Sequence, residues 1–140
     1  MKRRLLLTGI AIMIALTMLL SVSCYSQNTP PAYYNAGASD FAPTGTQFFN
    51  TILFRFDTSV AGHTLTTPSA VDIISAMNTP SPGAVLLFAI AADGANPVSI
   101  IGGPGVTVKT AASSVAGNST LTIYCELDNT GSGTQQITIY

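Results

Sequence analysis

The chain has 140 residues, 8% of them charged and 47% hydrophobic, with a formal net charge of −1. That length makes one domain rather than two, and the charge fraction lies far below the roughly 25% of an average soluble domain. Beyond residue 24 two cations, Arg55 and Lys109, face six acids, Asp40, Asp57, Asp72, Asp93, Glu126 and Asp128, so the body carries −4; this excludes the basic footprint of a nucleic-acid binder. A surface so poor in charge resists association weakly, and faces covered by neighbours are expected.

Lys2, Arg3 and Arg4 precede an uncharged segment, Leu5 to Cys24, of 20 residues rich in Leu, Ile, Met and Ala. At ~1.5 Å per residue, a helix of this length crosses the ~30 Å hydrocarbon core of a bilayer. The positive-inside rule keeps the N-terminus cytoplasmic and sends the body across. A cleaved signal peptide is the competing reading, with small residues at Ser21-Val22-Ser23 for cleavage. Lipidation at Cys24 is disfavoured, because Ser21 stands where a large aliphatic residue is usual. The anchor is the working reading. It gives residues 1–24 as anchor or signal, residues 25–46 as a Pro/Gly-rich linker and residues 47–140 as the folded body.

The linker holds Pro30, Pro31, Gly37, Pro43 and Gly45 and shows no apolar periodicity. Tyr33, Tyr34 and Phe41 read as loop aromatics, with docking on a neighbour as the alternative. Gln47 to Asp57 reads as a strand, with Phe48, Ile52, Phe54 and Phe56 on one face and Phe49, Leu53 and Arg55 on the other, hence covered on both sides. Thr64 to Thr66 is a short strand. Ser69 to Met77 is the one helix expected, capped by Ser69 with Asp72 three residues on, and buried through Ile73, Ile74 and Met77.

Strands follow at Ala84–Ala92, Pro97–Ile101, Val106–Thr110, Ser119–Leu127 and Gln135–Tyr140. Leu121, Ile123, Cys125 and Leu127 point inward; Thr122, Tyr124 and Glu126 point outward; Ile137 and Ile139 are inward on the last strand. Short strands with turns between them predict a mainly β fold, an antiparallel β-sandwich or jelly-roll-like domain with one short helix.

No catalytic, cofactor-binding or metal site is expected from these residues. His63 is the single histidine and stands in a turn beside Gly62. A metal site needs three or four clustered ligands, and His63 with Cys24 and Cys125 does not make one. Cys125 reads as a buried free thiol. Gly102-Gly103-Pro104-Gly105 joins two strands and lacks the Lys-Ser/Thr of a phosphate-binding loop. Asp93, Asp128 and Asn129 are candidate calcium ligands, but single turn acids more often form Asx-turns. Asn118-Ser119-Thr120 matches the N-glycosylation pattern, which matters only in a eukaryotic lumen.

The stretch from Thr64 to Tyr140 carries a resemblance. Thr64-Leu65-Thr66-Thr67-Pro68-Ser69-Ala70 leads into the helix. A Gly83-led apolar strand follows, then Val98-Ser99-Ile100, Gly102-Gly103-Pro104-Gly105-Val106-Thr107-Val108 and Val115-Ala116-Gly117-Asn118-Ser119. A Gly-rich loop ends in Ile137-Thr138-Ile139-Tyr140. This order resembles the β-rich domains of virion structural proteins of large DNA viruses, minor capsid or fibre-like. The resemblance implies a structural role without catalysis. Its expected partners are major and minor capsid proteins and a lipid membrane, with self-association into a homo-oligomer. No nucleic-acid partner, cofactor or metal is expected. The chain is shorter than fibre proteins and has no repeats or shaft, so a membrane-associated protein of the virion, tying membrane to shell, is the form expected. The alternative is a secreted or surface-tethered adhesion or glycan-binding module, for which Tyr124 and Tyr140 are the exposed aromatics available.

Overall fold

A computed structural model describes residues 32–140. The segment 1–24, where the anchor or signal is expected, lies outside the described residues. Strand β1, Ala32–Gly37, runs through the stretch expected to be linker. Tyr34 on it stacks on Phe41, ring centroids 4.2 Å apart, and both pack against the core. Two of the three presumed loop aromatics are thus structural, and Tyr33 remains exposed.

Thr44 opens helix α1, Gly45–Asn50. The Gln47 N–H donates to the Thr44 hydroxyl at 3.2 Å, and the Thr44 N–H donates to Gln47 Oε1 at 2.9 Å. This reciprocal capping box satisfies two donors that a helix start leaves free. It corrects the expectation of a strand from Gln47: the first turn is helical, and strand β2 is Thr51–Phe56. Strand β3, His63–Thr66, follows. The one helix expected, Ser69 to Met77, is present as α2, Ala70–Ser75, with the Asp72 N–H donating to the Ser69 hydroxyl at 3.1 Å. Among the described residues there are therefore two helices where one was expected. The remaining elements are β4 (Val85–Ala92), β5 (Val98–Ile101), β6 (Val106–Val108), a 3-10 turn at Thr110–Ala112, β7 (Ser114–Val115), β8 (Ser119–Asn129) and β9 (Gln136–Ile139).

The strands form a six-stranded sheet, β1-β2-β4-β8-β9-β6, and a three-stranded sheet, β3-β5-β7. The fold is mainly β, as expected, but the sheets are mixed rather than antiparallel. β1–β2, β2–β4, β3–β5 and β6–β9 pair in parallel; β4–β8, β5–β7 and β8–β9 are antiparallel. Alternation along a strand says which side chains face inward and nothing about the partner's direction. Parallel neighbours need crossover connections of about a dozen residues or more. The segment between β1 and β2 carries α1, and that between β2 and β4 carries β3 and α2.

One core fills the space between one face of the large sheet and the small sheet with both helices. The large sheet contributes Phe54, Phe56, Phe88, Ile90, Ile123 and Leu127. The covering layer contributes Phe48 from α1, Ile73 from α2, and Leu65, Val98, Ile100 and Val115 from β3, β5 and β7. The opposite face of the large sheet is uncovered among the described residues. β2 is consequently buried on one side only: Phe54 and Phe56 are inaccessible, Leu53 is half-buried and Arg55 exposed. This corrects the expectation of a strand covered on both faces.

Two glycines separate close approach from backbone conformation. A Cβ on Gly117 would lie 2.3 Å from the Ala95 carbonyl carbon and oxygen, which are backbone and cannot swing aside. Gly133 has φ +78° but open space around it. Gly117→Ala should destabilise the fold by more than about 2 kcal/mol, whereas Gly133→Ala should cost about 1 kcal/mol, the ordinary strain of a left-handed residue. Urea unfolding of the two variants measures both; equal losses would show that the Ala95 contact yields.

Candidate functional site

Strand pleating decides what the uncovered face presents. On β4 the outward residues are Val85, Leu87, Ala89 and Ala91; on β8 they are Thr120, Thr122, Tyr124 and Glu126. The antiparallel register sets Leu87 opposite Tyr124 and Val85 opposite Glu126. Tyr124 and Tyr140 exchange backbone hydrogen bonds of 3.3 and 2.9 Å. A row Leu87–Tyr124–Tyr140 therefore crosses three strands, with exposures of 62%, 50% and 42%. The two tyrosine rings stack at 6.2 Å between centroids, 29° apart in plane, and Lys109 Nζ sits 5.9 Å from the Tyr140 ring centroid.

The next row is Tyr33–Leu53–Ala89–Thr122, and the one after it is Asn35–Arg55–Ala91–Thr120. Arg55 ends the apolar region by pairing with Asp93. Asp93, and then the Tyr33 hydroxyl, hold the Arg55 guanidinium above its usual range. At the other border, desolvation together with Glu126 and Asp128 raises the Tyr140 phenol.

Singly scattered exposed apolar residues are normal, but contiguous rows of them mark contact surfaces. This face combines tyrosine, leucine and valine with charges kept to its margins. That is the composition of a protein-interface core with a polar rim. Tyr124 and Tyr140 were legible as outward aromatics. Leu87 was not, because it sits in an apolar run that reads as wholly buried.

The residues considered for chemistry are dispersed. The His63 ring is stacked on Phe56, its Nε2 is 3.0 Å from the Asp57 carbonyl oxygen, and its Nδ1 is 3.8 Å from Asp40 Oδ1. These contacts fasten the β2–β3 turn. Asp57 accepts from the Ser59 N–H, and hydrogen bonding to Ser59 lowers its pKa. Asp93 lies at one end of β8 and Asp128 and Asn129 at the other, about 30 Å away along the strand. Asp128 accepts from the Thr138 hydroxyl at 2.6 Å, and Asn129 caps its own turn by accepting from Gly131 N–H at 2.8 Å. Among the described residues no group of three His, Cys, Asp or Glu could hold a metal ion. The Gly103 N–H donates to the Thr67 hydroxyl at 2.9 Å, so the glycine loop packs against the entry to α2. Asn118 is exposed at φ 55°, at the head of β8. Cys24 lies outside the described residues. Among those residues, no helix is long and apolar enough to cross a membrane.

Comparison of the chain with protein-family models, with curated proteins and with solved structures found no match.

Cys125 is inaccessible, and burial, then the charge of Asp128, pushes its thiol up to about 12. The folded value lies above the ordinary 9.0. The neutral thiol therefore supports the fold fully below pH 9, and that support is lost as pH rises toward 12. At pH 8 iodoacetamide should leave the Cys125 peptide unlabelled in the native chain and label it in guanidinium. Native labelling at the denatured rate would disprove the burial.

Proposed function

We propose that this protein is a non-enzymatic structural component that docks on a protein partner through the open face of its six-stranded sheet. The observation that carries this reading is the exposed Leu87–Tyr124–Tyr140 row, continued by Val85 on one side and Tyr33 and Leu53 on the other. Burying such rings removes apolar area at roughly 25 cal/mol per Å², and two-torsion tyrosines lose little entropy when fixed. With a body charge of −4 spread over six acids, long-range repulsion between neighbouring copies in a shell is weak.

The hydrophobic segment Leu5–Cys24 and the virion-protein resemblance give this docking its specific form. The segment holds lipid, the sheet face holds capsid protein, and the chain ties membrane to shell in a membrane-associated virion component. The reading needs no cofactor and no nucleic acid.

Stripping lipid from native particles with detergent tests it. The wild-type chain should stay with the shell through density sedimentation. L87T/Y124T/Y140T keeps strand propensity on an uncovered face, so its unfolding temperature should stay within about 4 °C of wild type. It should leave with the detergent, its affinity for the shell down about 100-fold, as expected when hot-spot aromatics are lost. Release of the wild-type chain with the lipid would overturn the shell-docking reading. Retention of the triple variant would move the contact off this face.

A further inference from the structure

A polar crevice of about 330 Å³ opens where β2 and β4 end and β8 begins, lined by Ala92, Asp93, Asn118, Ser119 and Thr120. We propose that this crevice binds one residue of a neutral saccharide. It is a site separate from the apolar rows, and its occupancy does not depend on the docking reading.

Its location follows from topology. β2 and β4 run in parallel, and their carboxyl ends lead to β3 and β5 of the second sheet. Both connections depart to the covered side, leaving the strand ends open on the other. The volume lies within the range of small-ligand sites.

The rim is fixed in advance. A Cβ on Gly94 would meet the Ser59 nitrogen at 2.3 Å, and one on Gly117 would meet the Ala95 carbonyl at the same distance, so three turns pack backbone to backbone. The Asn118 N–H donates to the Gly94 carbonyl at 2.6 Å, and Asn96 Nδ2 donates to the Thr58 carbonyl at 2.8 Å. A rim that does not reorganise lets weak polar contacts count toward binding.

The chemistry of the lining selects the ligand class. Asp93 is already neutralised by Arg55, so the crevice offers no net charge to an anion or a cation. The body charge of −4 further disfavours anions. No three-ligand cluster for a metal exists among the described residues. What the crevice does offer is a carboxylate that accepts, a carboxamide and the Thr120 hydroxyl that both donate and accept, and the Ser119 hydroxyl, which donates to the Ala116 carbonyl and keeps its acceptor capacity. The Asn118 carboxamide and the Thr120 hydroxyl make no hydrogen bond among the described residues, and both are exposed. A lining of mixed donors and acceptors without net charge matches the hydroxyl groups of a neutral sugar.

Saturation-transfer NMR on the full chain tests the proposal, in a zwitterionic detergent that carries no sugar headgroup. The probes are the methyl glycosides of glucose, galactose, mannose and N-acetylglucosamine, with inorganic phosphate and calcium chloride as charged competitors. At least one glycoside should bind with a Kd near ~1 mM, unaffected by either competitor. Asn118→Gly accepts the positive φ, and Thr120→Val keeps the branched shape, so neither disturbs the fold. Each should weaken binding about tenfold by removing one hydrogen-bonding group. L87T/Y124T/Y140T should bind the glycoside as wild type does, which separates this site from the docking face. Absence of transfer to every glycoside would overturn the proposal. So would transfer unchanged in N118G/T120V, or displacement by phosphate or calcium.

Discussion

The Phe54 ring is the contact on which this fold turns. It is inaccessible to solvent and neighbours Tyr34 of β1, Phe41 of the following loop, Phe48 of α1 and Phe88 of β4, at centroid distances of 5.8 to 6.4 Å. Four segments separated in sequence thus close on one side chain. The parallel β1–β2–β4 trio has no tight turn to hold its register, because its connections are long. Its alignment rests on ladder hydrogen bonds and on this aromatic cluster. Aromatic pairs add about 0.5–1.5 kcal/mol beyond the area they bury, so the cluster fixes geometry as well as contributing stability.

Concentrating the large rings on one side leaves the other side to a different purpose. Both helices and the small sheet spend their apolar residues on the face that carries Phe54. The large side chains of the outer rows, Tyr33, Leu87, Tyr124 and Tyr140, then contribute little to folding, since each stays about half exposed. Substitutions of those side chains are expected to leave the fold intact. The same division explains the placement of charge. Arg55 with Asp93 closes one border of the open face, and Glu126 and Lys109 lie near the other, so no full charge sits in the middle of the Leu87–Tyr124–Tyr140 row.

Much of this was legible in the sequence wherever the signal is local. The alternation Leu121, Ile123, Cys125, Leu127 gave the inward face of β8. Ser69 with Asp72 gave α2 and its start. Ile137 and Ile139 gave the last strand. The failures came from competition between local signals. Phe-Phe-Asn-Thr-Ile-Leu-Phe has strand composition throughout, yet the capping box of Thr44 and Gln47 takes its first residues into a helix. β1 was hidden among prolines and glycines, and its strand character depends on pairing with β2. Strand direction left no local trace at all. The crevice was similarly hidden, because Asp93 and Asn118 meet only after the chain has crossed between the two sheets.

The sheet's edges bear on which surface is left for association. An open sheet can recruit a neighbour through an edge strand or through a face, and edges are the more dangerous route because they template unlimited pairing. β6, at one edge, is backed by the glycine loop: a Cβ on Gly102 would approach the Val106 carbonyl oxygen to 2.3 Å, so that edge is occupied by backbone. β1, at the other edge, has register irregularities between Ala32 and Tyr33 and between Asn35 and Gly37, and ends in Gly37 at φ +66°. An interrupted strand presents no regular ladder of donors and acceptors to a partner strand. With one edge backed and the other broken, directional pairing by strand addition is disfavoured at both ends of the sheet. The docking proposed for this protein therefore falls to the flat apolar rows between them, where shape and burial rather than backbone hydrogen bonds would select the partner.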